Sequence, residues 1–239
     1  MATESPAPTG IATAQASVGA DIIALIQHLG GPAVVIGHSF STGSAVVAAA
    51  QAPTDVLGIV LIAPFASPPK LNPLLALLAK PVMRSPTLWA MYYRSLYPGT
   101  KPADFGGYLA ALKANLRQPG RMAAAAAMAN PSDDSARASR FRVRCPALIV
   151  MGGKDRDFPN PGGEAEAMAA VLAGPAEIAL LQGAGHYPHV QLPADRQAPL
   201  GLPGADGPCL EQGCHPTPSS PSPSTWSTAK ARPPSPWRR

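Results

Sequence analysis

Three short stretches of this chain carry residue types that do chemistry together. The first, Val34-Val35-Ile36-Gly37-His38-Ser39-Phe40-Ser41-Thr42-Gly43, is an apolar run that turns on a serine among small neighbours. The second, Ile149-Val150-Met151-Gly152-Gly153-Lys154-Asp155, ends an apolar run on an acid. The third, Gln182-Gly183-Ala184-Gly185-His186, ends on a glycine-flanked histidine. A serine hydroxyl is a poor nucleophile at neutral pH and needs a neutral imidazole within hydrogen-bond reach to take its proton. A buried carboxylate fixes the imidazole tautomer and steadies the charge that develops on it, worth about 10⁴ in rate in the trypsin-like case. Ser39, Asp155 and His186 supply these three types. Asp157 is a rival acid, expected by alternation to face away from the histidine. His189 is a rival base, set beyond Pro188 without the glycine approach.

Such residues meet only if regular elements bring them to one edge. Residues 19–30 have the pattern of an amphipathic helix, with Ile22, Ile23, Leu25, Ile26 and Leu29 on one side and a glycine stop. Residues 32–36 and 56–63 are short apolar runs suited to buried parallel strands, and the alanine-rich stretch 42–51 between them reads as a helix. Strand, helix and strand in short order predict a βαβ unit. A serine on the tight turn of that unit is forced into a strained backbone conformation that lifts its hydroxyl above the sheet edge. The first amides of the next helix then favour developing negative charge. Residues 66–140 change character, with proline-punctuated helical stretches at 74–80, 87–95 and 108–117 and no strand pattern. The rhythm resumes with a strand at 147–151, a helix at 163–172 and a strand at 176–181.

The segment Gly37-His38-Ser39-Phe40-Ser41 resembles the Gly-x-Ser-x-Gly nucleophile elbow of the α/β-hydrolase family, with Ser41 in place of the final glycine. The chain order Ser, Asp, His is also that family's order, unlike those of chymotrypsin and subtilisin. The resemblance covers roughly residues 19–193. It implies an α/β fold with a parallel sheet of α/β-hydrolase type, its core at 19–65 and 141–193 and a helical cap at 66–140. Residues 1–18 are then a flexible lead-in. It further implies Ser39 as nucleophile, Asp155 as acid and His186 as base. The Phe40 amide becomes an oxyanion donor and His38 a pocket-wall or packing residue on the substrate side. No cofactor and no metal are expected. Epoxide-hydrolase-like, haloalkane-dehalogenase and haloperoxidase-like relatives resemble this chain too, but the first two use a carboxylate nucleophile. Ser39 points instead to an acyl-enzyme from a small-molecule ester, thioester or similar carbonyl. In the cap, Trp89, Tyr92, Tyr93 and Tyr97, with Leu74, Leu75, Leu77 and Leu78, either line an apolar acyl pocket or pack the cap helices on one another.

A full member of the family has several strands before its elbow, including a His-Gly-type segment that supplies a second oxyanion amide. None precedes Gly37, so the sheet is expected to lack its early strands, and losing one oxyanion donor typically costs about 10²–10³ in turnover. After Pro193 the family's closing helix is replaced by a Pro/Ser tract. A late start and a frame change near residues 192–196 would account for both ends, giving a fragment of a longer hydrolase. Three readings follow: an active serine hydrolase, a catalytically inactive fragment, and a non-enzymatic binding protein with the same fold.

Composition sets the outer bounds. The chain has 239 residues, 46% apolar and 14% charged, enough for one domain with a hydrophobic core. Its 30 prolines are unevenly placed and dense in the tail, and residues 194–239 show no apolar periodicity and are expected to be disordered. The net charge is +5, and about +3 of it belongs to the first 194 residues, with no long basic stripe. Arg137, Arg140, Arg142 and Arg144 read as a solvated approach to a strand rather than a nucleic-acid patch. Cys145 reads as a small buried hydrophobe. Cys209, Cys214 and His215 lie in the Pro/Ser tract and read as a chance cluster rather than a metal site. No secretory signal and no membrane-length apolar run is present, so a cytoplasmic protein with no membrane or nucleic-acid partner is the default expectation. Oligomeric state is left open.

Overall fold

Apolar runs rich in valine, isoleucine and leucine become four strands: β1 (Ala33–His38), β2 (Val56–Ile62), β3 (Ala147–Gly152) and β4 (Ala176–Leu181). They form one parallel sheet in the order β1-β2-β3-β4. Parallel neighbours require crossover connections, and each connection here carries helix. The computed structural model describes residues 14–66, 81–128 and 134–192, all within the first of two units, residues 1–203. The expected helix at 74–80, with Leu74, Leu75, Leu77 and Leu78, lies outside the described residues, as do the tail with Cys209, Cys214 and His215 and most of the lead-in.

The register aligns the strands' carboxyl ends. Gly37 pairs with Leu61, Leu61 with Ile149 and Ile149 with Ile178, so the residues just after each strand emerge at one edge. That edge is where ligands meet open parallel sheets. Ile59, Leu61, Ile149 and Met151 are fully buried and form the centre of the core with Val46, Val143, Phe158 and Met168. Among the described residues β1 lies at the edge of the sheet, and its Val34 and Ile36 are exposed, so it is not the buried strand that its apolar run predicts.

Helix α1 (Ala14–Leu29) begins within the stretch expected to be a loose lead-in and packs on α2 (Ser41–Gln51). Its apolar face differs from the expected one. Ile22 and Ile26 meet the core, whereas Leu25 and Leu29 are exposed. The i, i+4 pair is the one that faces α2, and the other leucines fall on a different side of the cylinder.

Between β2 and β3 lie α3 (Pro86–Ser95), α4 (Phe105–Leu116), α5 (Arg121–Met128) and α6 (Ser135–Ser139). Ser85 starts α3 by accepting the Leu88 amide at 3.3 Å, ahead of Pro86. Tyr93, Leu96, Tyr97 and Phe105 form a second apolar cluster in this insertion, separate from the main core. Tyr93 and Tyr97 are thus packing residues, their hydroxyls 3.1 Å apart. Helix α6 falls within the span expected for the cap, yet it packs on α2 and α1. The arginines after it are not uniformly solvated either. Arg140 turns inward and donates to the carbonyls of Phe65 and Ala66, fastening the end of β2, while Arg142 and Arg144 do not share this contact. Cys145 packs against the core as expected, and burial raises its thiol pKa. The fold closes with α7 (Pro161–Val171), capped by Asn160, then β4 and the short α8 (Pro188–Gln191). Among the described residues no helix is long and apolar enough to cross a membrane.

Candidate active site

Ser39 sits between β1 and α2 with φ of 54°, in the left-handed region that a serine rarely adopts. Its amide continues the sheet by donating to Ile62 O at 2.8 Å, and its carbonyl accepts from Thr42 N at 3.1 Å and Thr42 Oγ1 at 2.6 Å. The backbone must therefore reverse within one residue, at a strain of about 1–2 kcal/mol. Gly37 makes room for the reversal. A Cβ there would stand 2.7 Å from Ser41 O and 2.8 Å from Thr42 Cα, so no larger residue fits where strand and helix cross.

Ser41, standing where the elbow pattern has glycine, stabilises the turn. Its hydroxyl accepts from the His38 amide at 2.9 Å and donates to the His38 carbonyl at 2.9 Å. Restoring the pattern with Ser41→Gly is accordingly expected to lower stability by about 1–2 kcal/mol, read in thermal unfolding. An unchanged or raised midpoint would show that the two bonds contribute nothing.

Asp155 lies in the turn after β3, pinned by Gly153 N to Leu181 O (2.9 Å) and Lys154 N to Ala184 O (2.8 Å). His186 lies in the loop after β4. Its Nδ1 is 2.7 Å from Asp155 Oδ2, with both residues nearly inaccessible to solvent, at 3% and 2% exposure. A carboxylate only accepts, so Nδ1 carries a proton, and it is in the neutral ring that Nε2 keeps its lone pair. The other carboxylate oxygen of Asp155 accepts from the Asp157 amide at 3.0 Å.

The loop that carries His186 hangs from the insertion. The His186 amide donates to Leu96 O at 3.1 Å. Gln191, itself buried, accepts from the Gly185 amide at 2.8 Å and donates to Pro98 O at 2.7 Å and Thr100 O at 3.2 Å. A side chain at position 185 would collide with Leu96 O and Pro98, which explains the glycine before the histidine.

Asp157 departs from expectation. It does not face away: its Oδ2 lies 3.6 Å from His186 Nδ1, and Tyr92 Oη donates to its two oxygens at 2.8 and 2.9 Å. Alternation does not apply because residues 153–157 turn rather than extend. Burial raises the Asp157 pKa, an effect opposed by the charge of His186 and the Tyr92 bond. Burial, with the Asp157 charge behind it, pushes the Tyr92 hydroxyl far above its usual range. Asp155, Asp157 and His186 offer ligand-type atoms within 4.8 Å of one another, the set a divalent cation would use. Those atoms already face one another and Tyr92.

His38 Nε2 lies 2.8 Å from the carbonyl of His186, and its ring packs on Tyr187 (4.6 Å between centroids), His186 (4.9 Å) and His189 (5.1 Å). A carbonyl accepts, so His38 Nε2 donates, and the bond ties the turn after β1 to the loop that carries His186. His189, the rival base, lies in α8 with its ring against that of His38. Burial lowers the His38 pKa from 6.5 to about 4, against the raising effect of its bond to His186 O. Its folded value lies below its unfolded one, so His38 contributes stability in full above pH 6.5 and loses it as pH falls toward 4. The expected loss across that interval is on the order of 3 kcal/mol. His38→Gln should flatten the acid side of a plot of unfolding midpoint against pH; a plot that keeps its slope would exclude this role.

The Phe40 amide donates to no backbone acceptor among the described residues. Nor does Ser39 Oγ make a hydrogen bond among them: the structure joins Asp155 and His186 directly, and brings Ser39 to the same edge by way of His38. Sequence reasoning missed the Tyr92–Asp157 pair and the Gln191 clamp. Both are tertiary contacts, 65 and 93 residues apart along the chain for their main partners, with no local spacing to announce them.

A parallel sheet with a strained serine after one strand and a buried Asp–His pair after two others defines an α/β protein of hydrolase type. Residues 3–200 match the profile of the alpha/beta hydrolase family, and the chain belongs to that family. Solved structures similar to it include 2-hydroxy-6-oxo-6-phenylhexa-2,4-dienoate hydrolase from a Rhodococcus species, with TM-score 0.63 and 18% identity over 80% of this chain and 71% of that one. An esterase from Exiguobacterium antarcticum is similar at TM-score 0.62 and 18% identity, covering 81% and 74% of the two chains. A thermophilic esterase from Thermogutta terrifontis follows at TM-score 0.58 and 24% identity, covering 81% and 72%. No curated protein matches by sequence.

Proposed function

We propose that the chain is a serine hydrolase that cleaves a small carboxylic ester or similar acyl substrate through an acyl-enzyme on Ser39. The observation that carries this reading is the buried 2.7 Å bond between Asp155 and His186, at the sheet edge where Ser39 stands at positive φ. Asp155 holds the Nδ1 proton, so Nε2 is the basic nitrogen. It takes the Ser39 proton as Oγ adds to the carbonyl carbon. The resulting oxyanion is met by the Phe40 amide and the first turn of α2. The protonated imidazole then gives its proton to the departing alkoxide, leaving an acyl-serine. A water repeats the sequence, delivering a proton to Nε2, and the carboxylic acid leaves as Ser39 recovers its hydrogen. The catalytic bond from Ser39 to His186 is of the kind that tightens only when substrate is bound.

A fluorophosphonate probe tests the proposal. Labelling of the native chain at Ser39, located by mass spectrometry, together with turnover of a short-chain nitrophenyl ester, is the expected result. A folded chain that neither labels nor turns over would favour a binding protein of the same fold.

A further inference from the structure

Asp157 is not needed by the mechanism above, yet it is placed where a catalytic acid would stand. Its Oδ2 is 3.6 Å from His186 Nδ1, short of a hydrogen bond by less than 1 Å. What holds it off is visible. Tyr92 Oη, from α3 in the insertion, donates to its carboxylate at 2.8 and 2.9 Å, and the Asp157 amide is tied to Asp155 Oδ1 at 3.0 Å. The side chain is 17% exposed, so bulk water does not screen it fully.

We propose that Asp157 is a second carboxylate for His186, kept just beyond hydrogen-bond range by Tyr92, so that a residue of the insertion governs how closely it approaches the base. The idea rests on the proposed triad and assigns Asp157 and Tyr92 as positioning residues. In the native chain Asp155 owns the Nδ1 proton, and Asp157 adds negative charge on the same side of the ring, favouring the imidazolium that forms during the reaction. If Asp155 is removed, Asp157 takes over the Nδ1 proton. Other groups around the ring leave this role to it. Among the described groups against the ring, His38 donates to the His186 carbonyl, and Tyr187, Phe65 and Phe158 present rings rather than carboxylates.

The discriminating feature is the sign of the Tyr92 effect. Asp155→Ala is expected to slow ester turnover and phosphonate labelling by about 10²–10³-fold, and Asp155→Ala/Asp157→Ala by about a further tenfold. Adding Tyr92→Phe to Asp155→Ala is expected to restore activity severalfold, since it frees Asp157 to close the gap. A merely structural tyrosine would lower it. Equal rates for Asp155→Ala with and without Asp157, or a loss on adding Tyr92→Phe, overturn the proposal.

A proton NMR measurement separates this outcome from failure of the hydrolase reading. The downfield N–H proton of His186, assigned with His186→Gln, should persist in Asp155→Ala and vanish in the double variant, whether or not the chain turns over any ester. Its absence from Asp155→Ala refutes the second carboxylate, whereas an unlabelled Ser39 with the signal behaving as expected refutes only the acyl chemistry. Should the alanine variants not fold, the same resonance is followed in Tyr92→Phe, Asp157→Asn and their combination, which keep side-chain volume. Tyr92→Phe should move it, and the movement should be absent once Asp157 is replaced. A shift that survives the replacement assigns Tyr92 to packing and ends the idea.

Discussion

Replacing Ser39 with alanine is expected to remove phosphonate labelling and to cut ester turnover by about 10⁴–10⁶-fold, close to the uncatalysed rate. The size follows from the proposed role: without the hydroxyl no acyl-enzyme would form, and His186 and Asp155 would have no serine proton to move. Stability should respond differently. Alanine keeps a Cβ at φ of 54° and so keeps the strain, whereas Ser39→Gly removes it. The glycine variant is expected to be equally inactive yet about 0.5–1 kcal/mol more stable, read as a raised unfolding midpoint. A serine present only to start α2 would show the reverse, with small kinetic loss and lower stability in both variants. Purified variants assayed side by side for turnover and midpoint decide between the two.

The second large effect is expected at Asp155. Asp155→Asn keeps the volume of a fully buried side chain but can present an amide N–H to His186 Nδ1, moving the imidazole proton to Nε2. The nitrogen that must accept from Ser39 is then already protonated, and turnover is expected to fall about 10⁴-fold. The substituted amide also occupies Nδ1, which bars Asp157 from it. Asn at 155 should therefore be more damaging than Ala at 155, an inversion of the usual conservative ordering. Rates at saturating substrate test this, since the loss should appear in kcat and not in KM. A drop of less than about tenfold in Asp155→Asn would mean that the Asp155–His186 bond serves the loops and not the chemistry.

Much of this architecture is legible in the chain because its signals are local. β1, β2, β3 and β4 are short, mostly apolar runs bounded by Gly, Pro and Asp, the pattern of parallel strands, and β2 and β3 are the well-buried ones while β1 and β4 are only partly covered. The elbow announces itself in the same way, as does the approach to His186, because Gly37 and Gly185 are demanded by close backbone crossings. What stayed hidden depends on partners far along the chain. The apolar residues Ile22, Ile23, Leu25, Ile26 and Leu29 of α1 read as one stripe, and only the position of α2 selects Ile22 and Ile26 over Leu25 and Leu29. Arg140 looked like one of four solvated cations until the carbonyls of Phe65 and Ala66 came within its reach. Asp157 escapes strand alternation because it lies in a turn, where neighbouring side chains need not face opposite ways. Gln191 offered no sign at all, being one amide beyond a Pro-started turn whose acceptors are backbone carbonyls of the insertion.

The loop that carries His186 is suspended from the insertion. With the His186 amide on Leu96 O and Gln191 on Pro98 and Thr100, residues 96–100 behave as a fixed anchorage, and they cannot swing out without carrying the imidazole away from its acid. The insertion and the Asp155–His186 pair are therefore mechanically one unit, and a substitution that loosens residues 96–100 acts on the imidazole without touching it.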